Sequence, residues 1–105
     1  MMGQFDVHLN QGRTRASVPF VLVIQNDCYE AATHRVVVPL ALRAELRTPD
    51  RDLNPSFTID GQAVVMDTLQ LATLPAKALG PKVDTLDQEH QSIIRALDAL
   101  IAQGR

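Results

Sequence analysis

The sequence contains one cysteine, no tryptophan and few aromatic residues of any kind. Cys28 is the single cysteine among 105 residues, so no disulfide can form within this chain, which fits a reducing compartment. The aromatic side chains are limited to Tyr29 and three phenylalanines. The core must therefore be built mostly from valine, leucine, isoleucine and alanine.

The sequence also lacks a surplus of basic residues and any long run of apolar residues. The net charge is −2, whereas proteins that bind nucleic acid through its phosphates usually carry a basic surplus or patch. No segment approaches the roughly 18 apolar residues of a membrane-spanning helix, and the start of the chain lacks the pattern of a signal peptide. We expect a cytoplasmic protein that does not enter a membrane and does not bind nucleic acid unaided.

No pattern of catalytic or metal-binding residues stands out. His8, His34 and His90 lie far apart without ligand spacing, and Cys28 does not complete the set of about four ligands that zinc needs. The glycines are scattered instead of forming a phosphate loop, and no serine lies in a nucleophile-elbow pattern. The sequence therefore predicts no metal, no cofactor and no catalytic residue, with Cys28 as an inert thiol.

Apolar residues alternate with polar ones, or run together, over most of the first three quarters of the chain, which indicates strands. The Asp60-Gly61 pair predicts a tight hairpin, and we expect Pro39 to end the strand before it. Residues 72–75 fit either a strand or a loop edge, and residues 76–82 are predicted to be a linker. The predicted strands are residues 5–9 (half-buried), 18–25, 35–38, 56–59 and 62–66.

The last segment has helical periodicity. Apolar residues recur at steps of three and four, which places them on one stripe of a helix: Ile93, Ile94, Leu97, Leu100 and Ile101. Asp87 is expected to cap its start and Gly104 to end it. The predicted fold class is mainly β with a C-terminal helix, a small barrel of about five antiparallel strands in one domain over residues 1–105.

An ordered set of short motifs resembles the CcdB family of bacterial toxins. The motifs are QF at 4–5, FVLVIQND at 20–27, RVVVPL at 35–40, ATLP at 72–75 and ALDALIAQGR at 96–105. No single motif is specific, and the resemblance depends on their order over nearly the whole chain. It implies an SH3-like barrel with a long C-terminal helix, assembled as a homodimer.

The same resemblance implies a function. It indicates the toxin of a type II toxin–antitoxin system, which binds the A subunit of DNA gyrase, traps gyrase on cleaved DNA and is neutralised by a cognate antitoxin. The implied protein catalyses no reaction itself. Its implied partners are a second copy of the chain, the antitoxin and gyrase, with DNA reached only through the toxin–antitoxin complex.

Two sets of site residues follow from the resemblance. The implied gyrase contacts are Cys28, Tyr29, Asp98, Leu100, Ile101, Ala102, Gln103 and Gly104. The implied antitoxin contacts are Gln11, Gly12, Arg13, Arg15, Arg43 and Arg47. The best-known family member ends in Trp-Gly-Ile, whereas Ala102 occupies the Trp place here. We hypothesise that the aromatic Tyr29 compensates in part.

Two alternatives stay open. MazF-like ribonucleases share this barrel, and fold does not determine function. That alternative requires a catalytic group drawn from residues such as Arg13, Arg15 and His34. The other alternative is a non-toxic binding module that has kept the fold and lost the target.

Overall fold

The structure is a computed structural model that describes residues 3–29, 31–46 and 48–102. Within these residues the chain forms a mainly β fold with one α-helix at its C-terminal end, as the sequence predicts. Short 3₁₀ turns connect several of the elements. The elements are β1 (Asp6–Leu9), β2 (Phe20–Val23), β3 (His34–Leu42), β4 (Ser56–Ile59), β5 (Gln62–Met66), β6 (Ala72–Pro75), β7 (Lys82–Thr85) and α1 (His90–Ile101).

The strands form one antiparallel sheet that curves into a half-barrel. The order is β4-β5-β3-β2-β1-β7, and β6 pairs with the first half of β3. The second half of β3 pairs with β5, with Leu40 opposite Met66. β3 is therefore the central strand, with β2 on one side and two partners in succession on the other.

Pro39 lies where β3 changes partners, and the prediction that it ends the strand is wrong. β3 runs through it to Leu42. Its pairing with β6 ends at Val37, and its pairing with β5 begins at Leu40. In the gap between these two pairings, the Pro39 carbonyl accepts a hydrogen bond from the Asp67 N–H at 2.9 Å. A proline is tolerated there because no ladder on that side requires its missing N–H.

The main core lies between the sheet and α1. Ile93 and Ala96 are fully buried on the inner face of the helix. Of the predicted stripe only Ile93 is fully buried, whereas Ile94 and Ile101 are exposed, so the buried face differs from the one that the periodicity predicts. A smaller cluster of Val21, Val23 and Val37 covers the opposite face of the sheet. The strand residues of the main core are Val7, Phe20, Leu22, Val38, Leu40, Phe57, Ile59, Val64 and Met66.

β1 differs from its predicted half-buried state. Asp6, Val7 and His8 are all buried, because β1 lies between β2 and β7 and both of its faces are covered. His8 satisfies one ring nitrogen by a 2.8 Å hydrogen bond between its Nδ1 and the Gly80 carbonyl. Asp6 forms an ion pair with Lys82 on β7 at 3.3 Å. Polar residues in this strand thus alternate with apolar ones without marking a solvent-facing side.

The predicted hairpin is confirmed. Ile59 on β4 pairs with Gln62 on β5, which leaves Asp60 and Gly61 as the two loop residues. Their φ angles are 51° and 79°, and both positive values are what a type I′ turn requires.

The region before the helix contains more structure than the sequence predicts. Residues 72–75 form β6, and β7 begins at Lys82, the last residue of the predicted linker. Both strands are largely exposed, so no alternating apolar pattern marks them. The described part of the chain therefore has seven strands instead of about five.

The start of the helix also differs. Asp87 lies in a 3₁₀ turn, α1 begins at His90, and no side-chain hydrogen bond caps its first turn, so the predicted Asp87 cap is wrong. Gly104 lies outside the described residues. No described helix has the length and apolar character needed to cross a membrane.

Candidate functional site

The turn Asp27–Tyr29 presents two side chains to solvent between β2 and β3. The Cys28 N–H donates to the side-chain oxygen of Asn26 at 3.0 Å, and the Tyr29 N–H donates to the Asn26 carbonyl at 3.0 Å. Cys28 is exposed, and the Tyr29 side chain is 62% exposed. An aromatic ring held outward by a local turn is a feature typical of protein interfaces.

The C-terminal end of α1 is the second exposed stretch. Asp98, Ile101 and Ala102 are exposed, and Leu100 is partly buried. Ile101 is the most exposed of the large apolar side chains among the described residues, at 79%. The other two implied gyrase contacts, Gln103 and Gly104, lie outside the described residues.

A groove of about 450 Å³ runs between the end of α1 and the loop that precedes β4. Asp98 and Arg95 line its helix side. Asp50 and Asp52 line its loop side. Three carboxylates thus face one guanidinium, so the groove favours a partner segment that carries positive charge.

Asp50 is organised by the backbone of its own loop. Its Oδ1 accepts the N–H groups of Asp52 and Leu53, each at 2.9 Å. These hydrogen bonds favour the ionised carboxylate and hold the pKa of Asp50 below its ordinary value. The Asp50 carboxylate therefore keeps its charge to a lower pH than an ordinary aspartate does.

The implied antitoxin contacts lie together at one end of the sheet. The last part of the loop between β1 and β2 lies beside the end of β3, because the Leu42 N–H donates to the Ser17 carbonyl at 2.9 Å. Arg47 lies outside the described residues. The described members of the set are all exposed: Gln11, Gly12, Arg13, Arg15 and Arg43. The structure thus forms a basic surface from segments that are distant in sequence.

Tyr29 lies far from this basic surface. β3 begins at His34, shortly after the turn that carries Tyr29, and ends at Leu42, the residue before Arg43. Its nine residues span roughly 30 Å at about 3.3 Å per residue. Among the described residues, no hydrogen bond or ion pair joins the Asp27–Tyr29 turn to the end of α1.

The residues of the ribonuclease alternative are not brought together. Arg13 and Arg15 lie in the loop between β1 and β2, where the Arg15 guanidinium donates to the Gly12 carbonyl at 3.1 Å. His34 begins β3, at the opposite end of that strand from this loop. Its Nδ1 lies 3.0 Å from the Thr33 hydroxyl.

The implied gyrase contacts include Asp98 and Ala102 on the helix side of the groove, but the sequence singles out neither Arg95 nor the loop side. Arg95 precedes Asp98 by three residues, so helical spacing alone could have placed both on one face. Asp50 and Leu53 come from a loop that approaches the helix from elsewhere in the chain. No local pattern encodes that approach.

Comparisons with known proteins give one match. The family model described as CcdB protein matches residues 4–103 of the chain. That range includes all the described strands, the helix and both exposed stretches. A search of curated proteins finds no match.

Proposed function

The chain belongs to the CcdB family, whose members are toxins of toxin–antitoxin systems, and from that premise we propose that it binds the A subunit of DNA gyrase and traps gyrase on cleaved DNA. The observation that carries the proposal is the family match over nearly the whole chain. On this proposal the protein acts by binding and catalyses no reaction.

The proposed gyrase contact uses two apolar anchors. Tyr29 and Ile101 are large, exposed side chains at the two implied stretches, and a few such side chains often supply most of the binding energy of an interface. Ala102 offers little area of its own. The acidic groove beside Asp98 adds a site for a basic segment of the partner.

The proposed antitoxin contact is electrostatically distinct. Arg13, Arg15 and Arg43 are exposed near one end of the sheet, and they complement a disordered acidic segment that folds on binding. On this proposal the toxin reaches DNA only as a complex with its antitoxin, in the cytoplasm.

We also propose that the toxin is a homodimer. A chain of this size buries a limited core, and several large apolar side chains remain exposed near α1. Leu69 is 67% exposed in the turn Thr68–Gln70, which packs beside the helix. Leu69 therefore offers apolar surface that a second copy can cover, apart from the Ile101 anchor of the gyrase contact.

A DNA-cleavage assay with purified gyrase, plasmid and ATP tests the toxin proposal. We expect linear plasmid to accumulate when the protein is added. Tyr29→Ala and Ile101→Ala should each raise the concentration needed by roughly tenfold or more, the scale of an interface hot spot. Val83→Ala, an exposed apolar position on β7, is the matched control and should behave as the wild type.

The alternatives give different results in the same preparation. Cleavage of RNA that is abolished by Arg13→Ala or His34→Ala, with no linear plasmid, would replace the gyrase proposal with a ribonuclease. If neither activity is found and cells that express the protein grow normally, the protein is a non-toxic binding module that does not inhibit gyrase.

A further inference from the structure

Three consecutive polar side chains precede the Cys28–Tyr29 pair, and each makes a hydrogen bond that organises the turn. Asn26 bonds within the turn itself. Gln25 and Asp27 reach other segments, one on β3 and one before β1. The turn that carries Tyr29 is thus tied at two points to the body of the protein.

Gln25 bridges the turn and β3 with both ends of its amide. Its Oε1 accepts the Val36 N–H at 3.0 Å, and its Nε2 donates to the Tyr29 carbonyl at 3.0 Å. The neighbouring backbone bond joins the Ile24 N–H to the Val36 carbonyl at 3.1 Å. The Gln25 side chain therefore supplies the next hydrogen bond to β3 after the last backbone bond between β2 and β3.

Asp27 ties the turn to the segment before β1. Its Oδ1 accepts the Gln4 N–H at 2.5 Å. The Gln4 side chain donates to the Ile24 carbonyl at 3.2 Å, and the Phe5 N–H donates to the Val23 carbonyl. Residues 4 and 5 thus lie along the end of β2, where they brace the turn from the side opposite β3.

We propose that Gln25 and Asp27 are positioning residues that hold Tyr29 in the orientation in which it binds its partner. They contribute through Tyr29 and not by touching the partner. The inference rests on the proposed function for its partner, gyrase, while the orientation of Tyr29 can be measured in the free protein.

Gln25→Glu removes one hydrogen bond, the one from the Gln25 side chain to the Tyr29 carbonyl. Glutamate keeps an oxygen for the Val36 N–H but cannot donate to the Tyr29 carbonyl. The Ala32 N–H still donates to that carbonyl at 3.0 Å, so the local turn remains closed. Gln62→Glu, at an exposed position on β5, is the matched control for the added charge.

Binding to the gyrase A subunit gives the first readout. We expect Gln25→Glu to weaken affinity roughly fivefold, the scale of one lost hydrogen bond. Its melting temperature should equal that of the Gln62→Glu control. In a Tyr29→Ala background the same change should have no further effect. An equal loss with and without Tyr29, or no loss at all, would overturn the proposal.

The Asp27 variants give the second comparison. Asp27→Asn keeps an oxygen that can accept the Gln4 N–H, whereas Asp27→Ala removes it. We expect the asparagine variant to bind as the wild type and the alanine variant to lose affinity. Equal losses in both variants would show that the charge of Asp27, and not its hydrogen bond, matters.

Tyrosine fluorescence gives a readout that does not require gyrase. Tyr29 is the single tyrosine in a chain without tryptophan, so emission anisotropy of the free protein reports on this side chain alone. We expect faster local motion of Tyr29 in Gln25→Glu and Asp27→Ala than in the wild type. If the wild type fails to bind gyrase, the proposed function fails, and unchanged anisotropy in these variants separately refutes the positioning role.

Discussion

At Gly80 the segment before β7 touches the loop between β1 and β2. A Cβ at this position would lie 2.6 Å from the Leu9 carbonyl oxygen and 3.0 Å from Cγ of Gln11. The Gly80 carbonyl also accepts the hydrogen bond from His8. The absence of a side chain at one residue thus allows two backbone segments to approach at the base of the implied antitoxin loop.

Gly80→Ala is expected to destabilise the protein by about 1–3 kcal/mol, because the added methyl group overpacks against backbone that cannot move freely. Urea unfolding measures the change in the free energy of unfolding. Gly3→Ala is the matched control, since a Cβ there meets its nearest atom at 3.5 Å. Equal stability of the two variants would mean that the close approach at Gly80 does not exist in solution.

At the scale of elements, the loop over residues 50–54 is held to both the sheet and itself. The Asn54 side chain donates to the Met66 carbonyl at 3.0 Å, and its oxygen accepts the Asp50 N–H at 2.9 Å. Asp50 in turn accepts two N–H groups from the loop. This bonding holds the acidic wall of the groove in place beside α1.

The charge of Asp50 is expected to stabilise this loop over a defined pH range. Since the folded-state pKa is lowered, the contribution is present above the ordinary aspartate pKa and is lost as the pH falls through the lowered one. The Leu53 amide resonance should therefore titrate with a midpoint below the ordinary aspartate value. In Asp50→Asn, which keeps an oxygen acceptor, the pH dependence of the Leu53 resonance should disappear. If it persists, another acidic group causes it.

At the scale of the whole molecule, exposed basic, acidic and apolar side chains are concentrated in different regions, with Arg95 as a basic residue within the acidic groove. Basic side chains gather in the β1–β2 loop and after β3, acidic ones line the groove at the end of α1, and apolar ones remain exposed near the helix. A small protein with a net charge of −2 thus carries a basic and an acidic surface at once.

The proposed homodimer predicts a sedimenting mass above that of the 11.5 kDa chain. Leu69→Glu should shift the protein toward the monomer at the same concentration, because a charge would be buried against apolar surface of the second copy. Val83→Glu places the same charge on β7 and should leave the mass unchanged. A dimer that withstands Leu69→Glu would place the interface elsewhere, and a monomeric wild type would refute it.

Local pattern was sufficient where one short segment carries its own signal. The Asp60-Gly61 turn, the strands on either side of it and the helical state of α1 follow from spacing and turn chemistry, because φ preferences and side-chain periodicity are properties of neighbouring residues. The face that α1 buries does not follow, since Ile94 and Ile101 of the predicted stripe are exposed. β6 and β7 lack an apolar alternation because they are exposed, and they form by pairing with strands that are distant in sequence.

The sequence by itself determined the class of the fold, the helix and, through its ordered motifs, the family. Tertiary structure decided the rest: that Pro39 lies inside a strand, that Asp50 faces Asp98 across a groove, and that Gln25 and Asp27 brace Tyr29. The reason is that each of these depends on which backbone group or side chain from another segment lies within a few ångströms. Spacing along the chain does not contain that information.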